Sequence, residues 1–194
     1  MQGIGYHVKH GKLPLLTIFT VGVFAGMVIM NLGKSILLEN TGLLDEYTLY
    51  QMKYMTVDNS ALFCYVLWER LKSLLFLAVL STTYLGLVVC GGITLWYGIC
   101  GGAFLAVSVL RYGVKGILLV LVGLFPHYMI YVPGMIILLL WCQRINRKIY
   151  FEKTELGIIH SLLQLLGILL IFLVGCVLES FLNPYFLRGF LQIF

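Results

Sequence analysis

His127 stands directly after Pro126 and before Tyr128, with Tyr131 one turn further on, inside the apolar run GILLVLVGLFPHYMIYVPGMIILLL. Pro133 follows seven residues after Pro126. A proline inside a helix removes a backbone hydrogen bond and crowds the preceding turn, so it bends or breaks the helix. In apolar surroundings the freed carbonyls persist only where protein or a water-filled cavity satisfies them. An imidazole and two phenols at such a break make a candidate polar point within a bundle. Two readings stay open: a substrate or ion-relay site, or a kinked helix whose histidine bonds a neighbouring carbonyl. Glu179 ends a second apolar run, and Glu69-Arg70 precede a third. An ionised group in apolar surroundings is costly without water or a partner. Glu179 is expected near the outer interface, paired with Arg188 or Lys115, as a rim ion pair or a docking contact for an external partner.

Other chemistries find no support. The sequence has no G-x-S-x-G, H-E-x-x-H or Walker motif and no paired intramembrane aspartates. Ser73, Ser81 and Ser108 have no histidine or lysine at a spacing that predicts activation. His160 belongs to a different apolar run from His127, so no metal site is expected, nor a cofactor. Cys64, Cys90, Cys100, Cys142 and Cys176 are scattered without ligand spacing and read as buried structural thiols. The chain is expected to be noncatalytic.

The elements that hold these residues follow from composition. Of 194 residues, 61% are hydrophobic and 11% charged, against about 45–50% and about 25% in soluble domains. That much apolar surface calls for a bilayer as solvent. The formal charge of +5 is spread through short connectors, with no patch suited to nucleic acid. A span needs about 20 apolar residues. On that measure the chain is a single all-α membrane domain, a polytopic transmembrane helical bundle. Five spans are expected, at about 13–33, 72–89, 93–110, 115–141 and 157–178. The first is read as uncleaved, and the second ends at Cys90-Gly91-Gly92. Pro126 and Pro133 interrupt the fourth.

The connector from 34 to 70, with Glu39, Asp45, Glu46, Lys53, Asp58, Glu69 and Arg70, is expected to carry an interfacial amphipathic helix, with Asn59 or Ser60 as a cap. Gly22-x3-Gly26, and glycines at 98, 101, 102, 113, 116 and 123, permit close helix approach. Lys9, Lys12, Arg144, Arg147, Lys148 and Lys153 fall on one side of this layout. They predict a cytoplasmic N-terminus, an extracytoplasmic connector and an extracytoplasmic C-terminus. An oligomer is left open.

The residues Phe125, Pro126, His127, Tyr128 and Pro133 resemble the Leu-Pro-His-Gly-like membrane segment of the stage II sporulation protein M family, including its second proline. Where that family often has Gly and Glu, this sequence has Tyr128 and Tyr131. The tail Glu179, Ser180, Phe181, Asn183 and Pro184 is similar to the family's ending. The resemblance implies a membrane protein of the engulfment complex, at the septal membrane of the mother cell. It would localise and restrain two peptidoglycan-degrading enzymes, the stage II sporulation proteins D and P. A rival reading from the broken fourth span is a permease subunit served by a separate ATPase, with residues 143–156 as its coupling segment.

Overall fold

The computed structural model describes residues 14–34, 45–54, 58–152 and 157–193. Among these there are helices and short turns and no strand. The helices are α1 (Leu15–Leu32), α2 (Glu46–Tyr54), α3 (Asn59–Ser81), α4 (Gly86–Tyr112), α5 (Val114–Leu124), α6 (Tyr128–Arg147), α7 (Ile158–Val177) and α8 (Asn183–Ile193). Wider π-type turns follow α6, at Lys148–Glu152, and α7, at Leu178–Leu182. Among the described residues, four segments are long and apolar enough to cross a membrane: Leu15–Leu32, Gly86–Tyr112, Tyr128–Tyr150 and Ile159–Gln192. Val114–Leu124 is a shorter apolar helix. The architecture is the expected all-α helical membrane bundle.

Helix ends differ from the sequence expectation in the middle of the chain. The expected boundary at Cys90-Gly91-Gly92 lies inside α4, and the turn comes earlier, at residues 82–85. A glycine costs about 1 kcal/mol in a helix interior. An unsatisfied backbone group in hydrocarbon costs several, so two glycines do not end a membrane helix. What ends α3 is a replacement set of partners. The buried Asn146 amide donates to the carbonyls of Ser81, at 2.9 Å, and Thr83, at 2.7 Å. The Tyr150 hydroxyl donates to Thr82 at 3.0 Å.

The start of α3 also corrects the reading of the connector. Its cap is Asp58, not Asn59 or Ser60, with Oδ1 accepting from the Ser60 hydroxyl at 2.7 Å and the Ser60 amide at 3.0 Å. These bonds, the Ser60 hydroxyl foremost, hold the Asp58 carboxyl below its ordinary range. Glu69, Arg70 and Lys72 therefore lie within a 23-residue helix rather than ahead of a span. The parts of the connector at 35–44 and 55–57 lie outside the described residues. So do Lys9 and Lys12 near the N-terminus and Lys153.

Membrane helices gain little transfer energy by leaving lipid, so close approach and internal hydrogen bonds must hold them. The most extensive pairing is α1 with α4. A Cβ on Gly22 would lie 2.6 Å from the Leu95 carbonyl oxygen, and one on Gly98 would lie 2.5 Å from that of Phe19. Gly26 faces Ile99 and Ala103 further along, so the two helices run parallel. Asn146 beside Ser81 and Cys142 beside Leu77 set α6 parallel to α3. Gly134 beside Ile171 and Phe172, with Gly175 against Tyr131, sets α7 antiparallel to α6. Leu74, Leu77, Leu138, Cys142, Ile168 and Cys176 fill the centre.

The bundle has two distinct ends. Arg144, Arg147 and Lys148 lie at one, where Arg147 pairs with Glu152 at 3.1 Å. At the other, Asp45 pairs with Arg111, and Leu49 of α2 packs on Leu119 and Leu191. Gly113 turns α4 into α5 with φ of +57°, a left-handed conformation natural to glycine.

Candidate functional site

Two helix irregularities meet inside the bundle. The first separates α5 from α6 at Phe125–His127, with a cis Phe125–Pro126 bond. The second is the π-type turn Leu178–Leu182 between α7 and α8. Pro184 has no N–H to offer the Ser180 carbonyl, and such wider turns accommodate a lost ladder bond. Asn183 joins the two. With its amide nitrogen turned towards them, it donates to the carbonyls of Gly123 at 3.1 Å and Phe125 at 3.2 Å. Phe186 adds an edge contact to Phe125, with ring centroids 5.6 Å apart.

A polar cluster occupies the space beside these breaks. Arg70 projects from the inward stripe of α3 that also carries Val66, Leu74 and Leu77. Its Nη2 lies 3.2 Å and 3.4 Å from the two carboxylate oxygens of Glu179. The guanidinium sits over the Tyr131 ring, 4.8 Å from its centroid. The Tyr131 hydroxyl donates to the Cys176 sulfur at 3.3 Å. His127 packs edge-on against Tyr128 and Tyr131, with centroid separations of 5.0 Å and 5.8 Å. It is 4% exposed, and its Nδ1 has no hydrogen-bond partner among the described residues. The buried Ser180 hydroxyl also lacks one.

The ion pair is neither fully buried nor free in solvent: its side chains are 33% and 20% exposed for Arg70 and Glu179. Desolvation of two ions can exceed their mutual attraction, so the pair is weak evidence of net stabilisation. Loss of one partner is a different matter, because it strands the other charge. Stacking over Tyr131 offsets part of the cost, by about 0.5–2 kcal/mol.

The structure brings together most of the residues that the sequence marked, in a changed arrangement. Pro126, His127, Arg70, Glu179 and Asn183 converge. Glu179 pairs with Arg70 rather than with Arg188 or Lys115, because the π-type turn after α7 carries its side chain inward to α3. Glu69 points away from the cluster and pairs with Lys72 at 2.9 Å. Pro133 lies inside α6 without ending it; the break is at Pro126. The expected bond from His127 to a neighbouring carbonyl is not made at Nδ1. Pro184 acts through the backbone ladder and brings no polar group. Cys64 and Cys100 are exposed rather than buried, while Cys90, Cys142 and Cys176 are buried.

Sequence reasoning missed Cys176 and Asn146 as polar contacts. Asn146 alone carried a usable signal, as an amide at the end of an apolar helix. Among the described residues no cluster of three His, Cys, Asp or Glu could hold a metal ion.

Neither a curated protein nor a solved structure matches the chain. The sequence model for stage II sporulation protein M matches residues 15–184, from the start of α1 into α8. That range holds both breaks, the Arg70–Glu179 pair, His127 and Asn183, and the chain belongs to the stage II sporulation protein M family.

Proposed function

We propose that this sporulation-family membrane protein is a noncatalytic, multi-pass scaffold at the septal membrane. It recruits and coordinates peptidoglycan-degrading enzymes, the stage II sporulation proteins D and P, during forespore engulfment. The observation that carries this reading is the family match across residues 15–184. The end of the bundle away from Arg144, Arg147 and Lys148 would be extracytoplasmic, since basic residues favour the cytoplasmic side. On that side α2 exposes Tyr47, Tyr50 and Tyr54, a surface suited to a partner domain. Affinity capture of the full chain from detergent extracts of sporulating cells should recover both hydrolases. Their repeated absence, with the bait intact, would remove the scaffold reading. Reporter fusions at the two termini should place the N-terminus inside and the C-terminus outside.

A second reading is supported by the cluster itself. Broken helices beside partly buried ionisable groups are a known way to build a transport site within a membrane. On this reading the chain is a permease subunit, and the segment after α6 meets a separate ATPase. ATP-dependent flux in proteoliposomes that is lost on changing Arg147 and Lys148 would establish it in place of the scaffold.

A further inference from the structure

The outward face of α3 carries charge halfway along the bundle. Cys142 beside Leu77 and Asn146 beside Ser81 keep α3 and α6 in step. Glu69 and Lys72 precede Ser81 by 81 − 69 = 12 and 81 − 72 = 9 residues. At 1.5 Å per residue they lie about 14–18 Å along the axis from that end. The neighbouring helices are apolar at this depth: Gly134 of α6 meets Ile171 and Phe172, well inside Ile158–Val177. Measured from Ser81, that is about half the thickness of a hydrocarbon core of about 30 Å.

Both side chains point away from the bundle. Glu69 is 55% and Lys72 53% exposed, with Nζ–Oε2 at 2.9 Å and Nζ 5.8 Å from the Trp68 ring. A charged side chain at the bilayer centre costs about 2.5–3.5 kcal/mol on insertion scales. Facing acyl chains, this pair has only itself and Trp68, among the described residues, to offset that cost. The residues around it also follow a pattern. Tyr65, Trp68, Lys72, Leu75 and Val79 recur at steps of three, four, three and four, and all are exposed. That spacing lines the five residues up along one helix face, as a seam between two helices requires.

We propose that this seam packs against the same seam of a second copy of the chain. The pair is complementary in charge to its own copy: each chain presents one carboxylate and one ammonium a single turn apart on the same face. A two-fold axis along the membrane normal then closes them into a neutral four-charge network, shielded from lipid. Two-fold pairs are the commonest closed assembly, and one polar layer in a heptad seam fixes its register.

The test is disulfide crosslinking of the full chain in native membranes, with Cys64 and Cys100 changed to Ser. Leu75→Cys should give an oxidised homodimer, and Phe24→Cys on the exposed face of α1 should not. Adding Lys72→Glu should lower the crosslinked fraction at least about tenfold through like-charge repulsion. The charge-swapped chain, Glu69→Lys with Lys72→Glu, should restore it, which separates loss of pairing from loss of fold. The proposal is overturned if Leu75→Cys stays monomeric in the folded chain, if it crosslinks instead to a different protein, or if Lys72→Glu leaves the homodimer unchanged.

Discussion

Arg70 and Glu179, 109 positions apart in the sequence, meet through a single guanidinium nitrogen at 3.2 Å and 3.4 Å from the two carboxylate oxygens. The contact ties the middle of α3 to the π-type turn after α7, beside the broken segment before α6. Its consequences can be measured.

Glu179→Gln should destabilise the bundle by about 1–3 kcal/mol, a range set below that of a fully buried pair because both side chains are partly exposed. Combining it with Arg70→Met should cost less than the sum of the two single changes, by at least about 1 kcal/mol. Reversible unfolding in mixed micelles reads both quantities. Additive costs would show that the two groups are not coupled.

His127→Phe should leave stability within about 1 kcal/mol of the parent, because the buried Nδ1 makes no hydrogen bond among the described residues that the change would break. A loss above about 2 kcal/mol would reveal a structural bond. The same variant separates the two functional readings. A scaffold should still complement a deletion of its gene, whereas a transport site built on the imidazole should not.

Gly22→Val and Gly98→Val should each cost about 1–3 kcal/mol through overpacking against the opposing backbone. Gly92→Ala should be neutral or stabilising, because its added methyl meets open space in a helix interior. Thermal unfolding in detergent distinguishes the two classes. Equal sensitivity at all three positions would contradict the parallel α1–α4 contact.

Asn146→Leu should be among the most damaging single changes, at about 2 kcal/mol or more. It strips the donors from two carbonyls, those of Ser81 and Thr83. Faster hydrogen exchange confined to the α3–α4 turn should accompany the loss. Unchanged exchange there would mean that other groups hold the turn.

Composition and apolar run length were enough to read the helical membrane bundle, since lipid leaves a chain few ways to satisfy its backbone. The break at Pro126 was legible because a missing N–H is a local property of the residue. Gly91-Gly92 misled for the converse reason: a glycine permits a break without requiring one, and Asn146, far along the chain, decides where α3 ends. The partner of Glu179 was equally hidden. Run length locates a charge along its own helix but says nothing of the direction in which it points. That direction came from the wider turn around Pro184, which rotates Glu179 towards Arg70, while the α-helical period of α3 sends Arg70 inward and Glu69 and Lys72 out. Ion pairs between distant helices are fixed by rotation and register, and only the packed bundle determines those.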